Sequence, residues 1–135
     1  MTVNEIKVTF GGGLKVDADV HGRVIRTDQP VREGGEGTAP SPFDLFLAAL
    51  ATCAGYYALS FCIGRGLSTS GLAVSLVTEK EAGSKLIGRM TIRIALPPDF
   101  PDKYHGPIVK AVEACTVKAH MDHPPVFDVV ISPRP

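Results

Sequence analysis

The sequence predicts an α+β fold, with a mainly antiparallel sheet and one long helix, in one domain covering residues 1–135. Three observations carry this expectation. Residues 4–28 and 72–96 alternate apolar and polar side chains, the period of half-buried strands. Residues 45–62, "LFLAALATCAGYYALSFC", hold no charge at all. Apolar residues at helical spacing return over 102–121.

In chain order, "VNEIKVTFGGGLKVDADVHGRVIRTD" is broken by "GGG" and "HGR" into two or three short antiparallel strands joined by tight turns. "GGG" at 11–13 is not a phosphate loop, because a strand-like segment and no helix follows it. "QPVREGGEGTAPSP" is a loop. Ser41, Pro42 and Asp44 then form a helix start: a capping hydroxyl, a proline at the first helical position, and a carboxylate completing an S-x-x-D box. The helix runs to about Gly64 or Gly66, where "GRG" stops it. Leu72, Val74 and Leu76 alternate against Met90, Ile92, Ile94 and Leu96 as a hairpin turning at "EKEAGSK". A helix at about 102–114 breaks near Cys115, and a short second piece reaches Met121. "VFDVVIS" reads as a final strand.

Lys plus Arg equals Asp plus Glu at 14 each, and the basic residues are scattered. Such a balance excludes bulk attraction to phosphate backbones or anionic lipid, so neither nucleic acid nor a membrane is an expected partner. The first ten residues lack the pattern of a signal peptide, and three cysteines do not make a secreted disulfide framework, which points to the cytoplasm. Residues 45–62 approach the length of a membrane span. Their Ala, Gly, Ser and Thr content and the lack of flanking basic residues favour instead a helix buried on nearly every side. One sheet covers one side of such a helix. A second copy of the chain is the economical cover for the other, so a homodimer is expected.

Cys53 lies mid-helix among Ala49, Ala51, Ala54 and Gly55, with Tyr56 and Tyr57 on its general side. Cys62, nine residues on, falls about 900° further round the helix and therefore on the opposite face. Cys115 sits at the helix break, where free backbone N–H groups favour a thiolate. If Cys53 and Cys115 meet, they make a redox pair; buried cysteines are otherwise small hydrophobes, and spacing alone leaves both readings open. His120 and His123, with Asp122 between them, have donor types suited to zinc. They equally suit a helix end stopped by proline, and no metal or other cofactor is expected.

"GTAPSPFDLFLAALATC" resembles the first cysteine segment of the OsmC/Ohr family of thiol-dependent peroxidases and their OsmC-like relatives, and "AVEACTVKAHM" resembles its second. The resemblance implies an intertwined homodimer with strands wrapped around two central helices and two sites at the interface. It implies Cys53 as the peroxidatic thiol, Cys115 as the resolving one, organic hydroperoxides as substrates, and a dithiol or lipoylated protein as reductant. It also implies a glutamate ten residues before the first cysteine, paired with an arginine from the N-terminal strands. Here Phe43 takes that place with Asp44 beside it. Asp44 and Glu36 are candidate substitutes, and Arg23, Arg26 and Arg32 are candidate cations. Phe43, Phe46, Leu50 and Tyr57 are the expected apolar wall for a greasy peroxide. The rival expectation, motivated by Phe43, is a non-catalytic dimer holding a small apolar or thiol-bearing ligand at its interface.

Overall fold

The capping chemistry of residues 41–44 is formed in the computed structural model, which describes residues 3–133. The Asp44 N–H donates to Ser41 Oγ at 3.2 Å, and the Ser41 N–H donates to Asp44 Oδ2 at 3.1 Å. This reciprocal box starts α1, Pro42–Gly64. Its far end is closed by left-handed Gly66, with Leu67 N–H bonded to the Cys62 carbonyl and Gly66 N–H to that of Ile63. The chain divides into two compact units after Ala48, so the first turns of α1 belong to one and the rest to the other.

The N-terminal unit carries a three-stranded antiparallel sheet of β1 (Lys7–Phe10), β2 (Val16–Val20) and β3 (Arg23–Thr27) in that order. β2 and β3 meet at a two-residue turn, where His21 and Gly22 both take positive φ, as a twisted hairpin demands. The following loop is tied at its base by Asp28, which is buried. Its carboxylate accepts the Thr38 hydroxyl at 2.7 Å, the Thr38 N–H at 3.1 Å and the Gln29 N–H at 2.8 Å.

In the second unit, β4 (Ala73–Lys80) and β5 (Ile87–Ala95) form a two-stranded antiparallel sheet. Val74 faces Ile94 and Leu76 faces Ile92 across it. The helix expected over 102–114 is a 3-10 turn, Asp102–Tyr104, running into α2, His105–Glu113. Pro107 sits in the first turn of α2, where its missing N–H has no intrahelical partner to lose. The chain breaks at Ala114–Cys115, and α3 (Thr116–Asp122) follows. The core is Ala54, Ala58, Phe61 and Cys62 from α1 against Ile108 and Val112 from α2, with Phe100. Val74, Ile92 and Ile94 pack on it from the hairpin. Ala54 and Ala58 are buried in this cluster, and Ile108 and Cys62 are 0% exposed.

Three expectations are corrected. The strands form two separate sheets, so no single sheet serves the helix. α1, though long and apolar enough by length and composition to cross a membrane, is not buried on nearly every side. Leu50, Ala54, Ala58, Phe61 and Cys62 are buried while Phe43, Tyr56, Leu59 and Ile63 are exposed. One chain has only enough apolar partners for one face of a helix of this composition. Lastly, "VFDVVIS" is not a strand: it belongs to no sheet, and Val126, Phe127, Val129, Val130 and Ile131 are exposed. β-branched and aromatic residues favour extended backbone, but a strand also needs an edge to bond to, and none among the described residues takes this one.

Candidate functional site: a dithiol between the long helix and the helix break

Cys53 is held mid-way along α1, and Cys115 is the residue immediately before α3. The packing of α2 on α1 through Ile108 and Val112 carries the helix break to α1. The two free thiols hydrogen-bond to each other, and the backbone N–H groups of Val117 and Thr116 point to the Cys53 sulfur. Burial works against a Cys53 thiolate. The Cys115 thiol and then those two N–H groups outweigh it, so the Cys53 thiol is held below the ordinary cysteine range. Cys115, 3% exposed, is pushed the other way, first by burial and then by its hydrogen bond to Cys53. The pair is therefore polarised: a half-buried sulfur inclined to be thiolate beside a buried one inclined to keep its proton. Cys62 lies apart in the core, where burial raises its thiol.

Behind Cys115 opens a cavity of about 200 Å³ lined by Leu50, Ala54, Leu76, Met90, Ile92 and Met121 among others. Lys118 and Asp122, paired at 3.0 Å, sit at its polar side. Of the four expected wall residues, Leu50 lines this cavity. Tyr57 places its hydroxyl 2.9 Å from Thr116 Oγ1, next to the dithiol. Phe43 and Phe46 belong to the N-terminal unit, with ring centroids 5.7 Å apart.

The candidate supporting charges also lie in the N-terminal unit. Asp44 is engaged as the helix cap. Glu36 pairs with Lys15 at 2.6 Å and not with an arginine. Arg23, Arg26 and Arg32 are exposed, and no ion pair among the described residues includes them. His120 donates its Nδ1–H to the Thr116 carbonyl at 2.7 Å. Among the described residues, no group of three or more His, Cys, Asp or Glu side chains is placed to hold a metal.

Sequence reasoning missed Thr116 and Asp28. A hydroxyl directly after a cysteine at a helix start was the available signal for Thr116. For Asp28 it was an aspartate opening a Gly/Pro-rich loop.

The family model described as OsmC-like protein matches residues 35–130, which include both α1 and the two cysteines that meet. The chain belongs to the OsmC-like family. A solved structure from Psychrobacter arcticus 273-4, provisionally described as an osmotic stress induced and detoxification response protein, is similar at TM-score 0.72. It is 24% identical, over 88% of each chain. Another, described as an organic hydroperoxide resistance protein, OsmC, from Legionella pneumophila, is similar at TM-score 0.57. It is 17% identical, over 90% of each chain. At these identities the likeness is one of fold: antiparallel sheets and a long helix in an OsmC-like arrangement. No match was found among curated proteins.

Proposed function

We propose that this OsmC-like protein reduces organic hydroperoxides through Cys53 and Cys115. The observation that carries the reading is the contact between two free thiols, with the Cys53 thiol held below and the Cys115 thiol above the ordinary cysteine range. The Cys53 thiolate attacks the outer peroxide oxygen: the S–O bond forms, the O–O bond breaks, and the alkoxide leaves as an alcohol after taking a proton. Cys53 is then a sulfenic acid. Cys115 condenses with it; the S–S bond forms, the S–O bond breaks, and the Cys115 proton leaves with hydroxide as water. An external dithiol, small or carried by a lipoylated protein, reduces the disulfide and restores both thiols. The apolar cavity beside Cys115 favours a peroxide with an alkyl body, and the Legionella relative's description agrees with that substrate class.

A homodimer working in the cytoplasm completes the reading. The exposed apolar face of α1, the bare apolar segment 126–131 and the exposed Val8, Phe10, Val24 and Ile25 of the N-terminal sheet are all surfaces a second copy would cover. Three free thiols suit a reducing compartment.

Cys53→Ser is expected to abolish consumption of an alkyl hydroperoxide, and Cys115→Ser to leave a sulfenic acid standing on Cys53, trapped by dimedone and read by mass spectrometry. Undiminished consumption by Cys53→Ser would end the assignment. One observation favours a second reading, a binding protein with an inert dithiol: no carboxylate–arginine pair stands among the described residues of the N-terminal unit. Stopped-flow oxidation of Cys53 no faster than that of free cysteine selects it.

A further inference from the structure

Tyr57 follows Cys53 by one turn of α1, and Thr116 follows Cys115 directly. The structure joins the four residues two by two, thiol to thiol and hydroxyl to hydroxyl, the latter at 2.9 Å. We propose that the Tyr57–Thr116 bond is a clasp that positions the Cys115 corner against α1 and sets how readily Cys53 and Cys115 close into a disulfide.

α3 has seven residues, too few to hold its place by helix formation alone. Its start is located by what the residues around it touch. Each polar group of Thr116 is engaged: the N–H toward Cys53, Oγ1 with Tyr57 Oη, and the carbonyl by His120 Nδ1 at 2.7 Å. At the Tyr57 end of the clasp, the ring stands edge-on to Tyr56 with centroids 5.3 Å apart. The corner itself is a single turn of bonds, Ala114 N–H to the Lys110 carbonyl and Cys115 N–H to that of Val112. A rotation there moves the Cys115 sulfur away from Cys53, and a disulfide tolerates only a narrow range of Cα separation. Tyr57 and Thr116 are thus positioning residues, acting through Cys115 and not on the peroxide.

The kinetic arm of the test rests on the peroxidase reading; the equilibrium arm does not. The variants are Tyr57→Phe, which keeps the ring, Thr116→Val, which keeps the shape, and Thr116→Ser, which keeps the hydroxyl. The equilibrium constant of the Cys53–Cys115 disulfide is measured in glutathione redox buffers without peroxide, and the rate of disulfide closure after one equivalent of an alkyl hydroperoxide. A hydrogen bond at a half-exposed site is worth roughly a three- to tenfold change. Tyr57→Phe and Thr116→Val are each expected to lower both quantities by that factor, raising the reduction potential by about 15 to 30 mV. The double variant should fall no further than either single one, and Thr116→Ser should stay at the wild-type values. An equilibrium constant unchanged in Tyr57→Phe overturns the clasp, as does Thr116→Ser failing as badly as Thr116→Val, or no disulfide forming in any buffer. If wild type closes in glutathione buffers but ignores hydroperoxide, the peroxidase reading falls and the equilibrium arm still decides the clasp.

Discussion

Replacing Cys115 by alanine removes the thiol that donates to Cys53 and leaves the Val117 and Thr116 N–H groups in place. A hydrogen bond to a charged acceptor contributes about 1.5–3 kcal/mol. Water reaches the half-buried Cys53 sulfur, so the lower end applies. About 1.5 kcal/mol is roughly a tenfold change in the ionisation equilibrium, and the titration midpoint of Cys53 moves up. The more basic thiolate is also the better nucleophile, which returns about threefold of that rate. Cys115→Ala should therefore alkylate roughly threefold more slowly than wild type on the acid limb, below both midpoints, and faster on the alkaline plateau, the two profiles crossing between. Iodoacetamide labelling across pH 5 to 10, with mass spectrometry assigning the label to Cys53, reads both limbs. Cys115→Ser, whose hydroxyl still donates, should lie close to wild type. A Cys53 midpoint that stays put or moves down in Cys115→Ala would refute the account of its ionisation.

Ile108→Ala, at a fully buried site between α2 and α1, should lower unfolding free energy by about 2–5 kcal/mol in urea titrations with an unchanged slope. The Thr38 hydroxyl and N–H hold the Asp28 carboxyl at about 2, below its ordinary 3.8, against the opposing effect of burial. A depressed carboxyl stabilises the fold above its unfolded value and loses that contribution as pH falls toward 2. Thermal melts from pH 5 to 2 should show the gap between wild type and Asp28→Ala closing over that window.

Much of the secondary structure was legible because its determinants are local. Ser41, Pro42 and Asp44 announce α1 through groups three residues apart, and the "GRG" stop needs only a left-handed glycine at 66. The break before Cys115 followed from where the helical period of 108–112 gives out. The meeting of Cys53 with Cys115 was not legible from spacing, because it depends on how α2 seats on α1. It was anticipated only through the family resemblance. Thr116 escaped for the same reason: its partner lies 59 positions away in sequence. Glu36 was a candidate substitute for the family's glutamate because nothing local marks Lys15 as its partner. The final strand was misjudged because β-branched and aromatic residues report a preference for extended backbone and say nothing about which edge will accept it.

That last segment has a consequence for the chain's early life. Val126, Phe127, Val129, Val130 and Ile131 add nothing to the interior, so a newly made polypeptide carries them as a β-prone, greasy stretch. Pro124 and Pro125 before it and Pro133 after it cannot donate to a growing ladder, and Asp128 puts a charge at its middle. These four residues are placed as gatekeepers against edge-to-edge aggregation, so replacing them is expected to cost soluble yield before it costs stability of the folded chain.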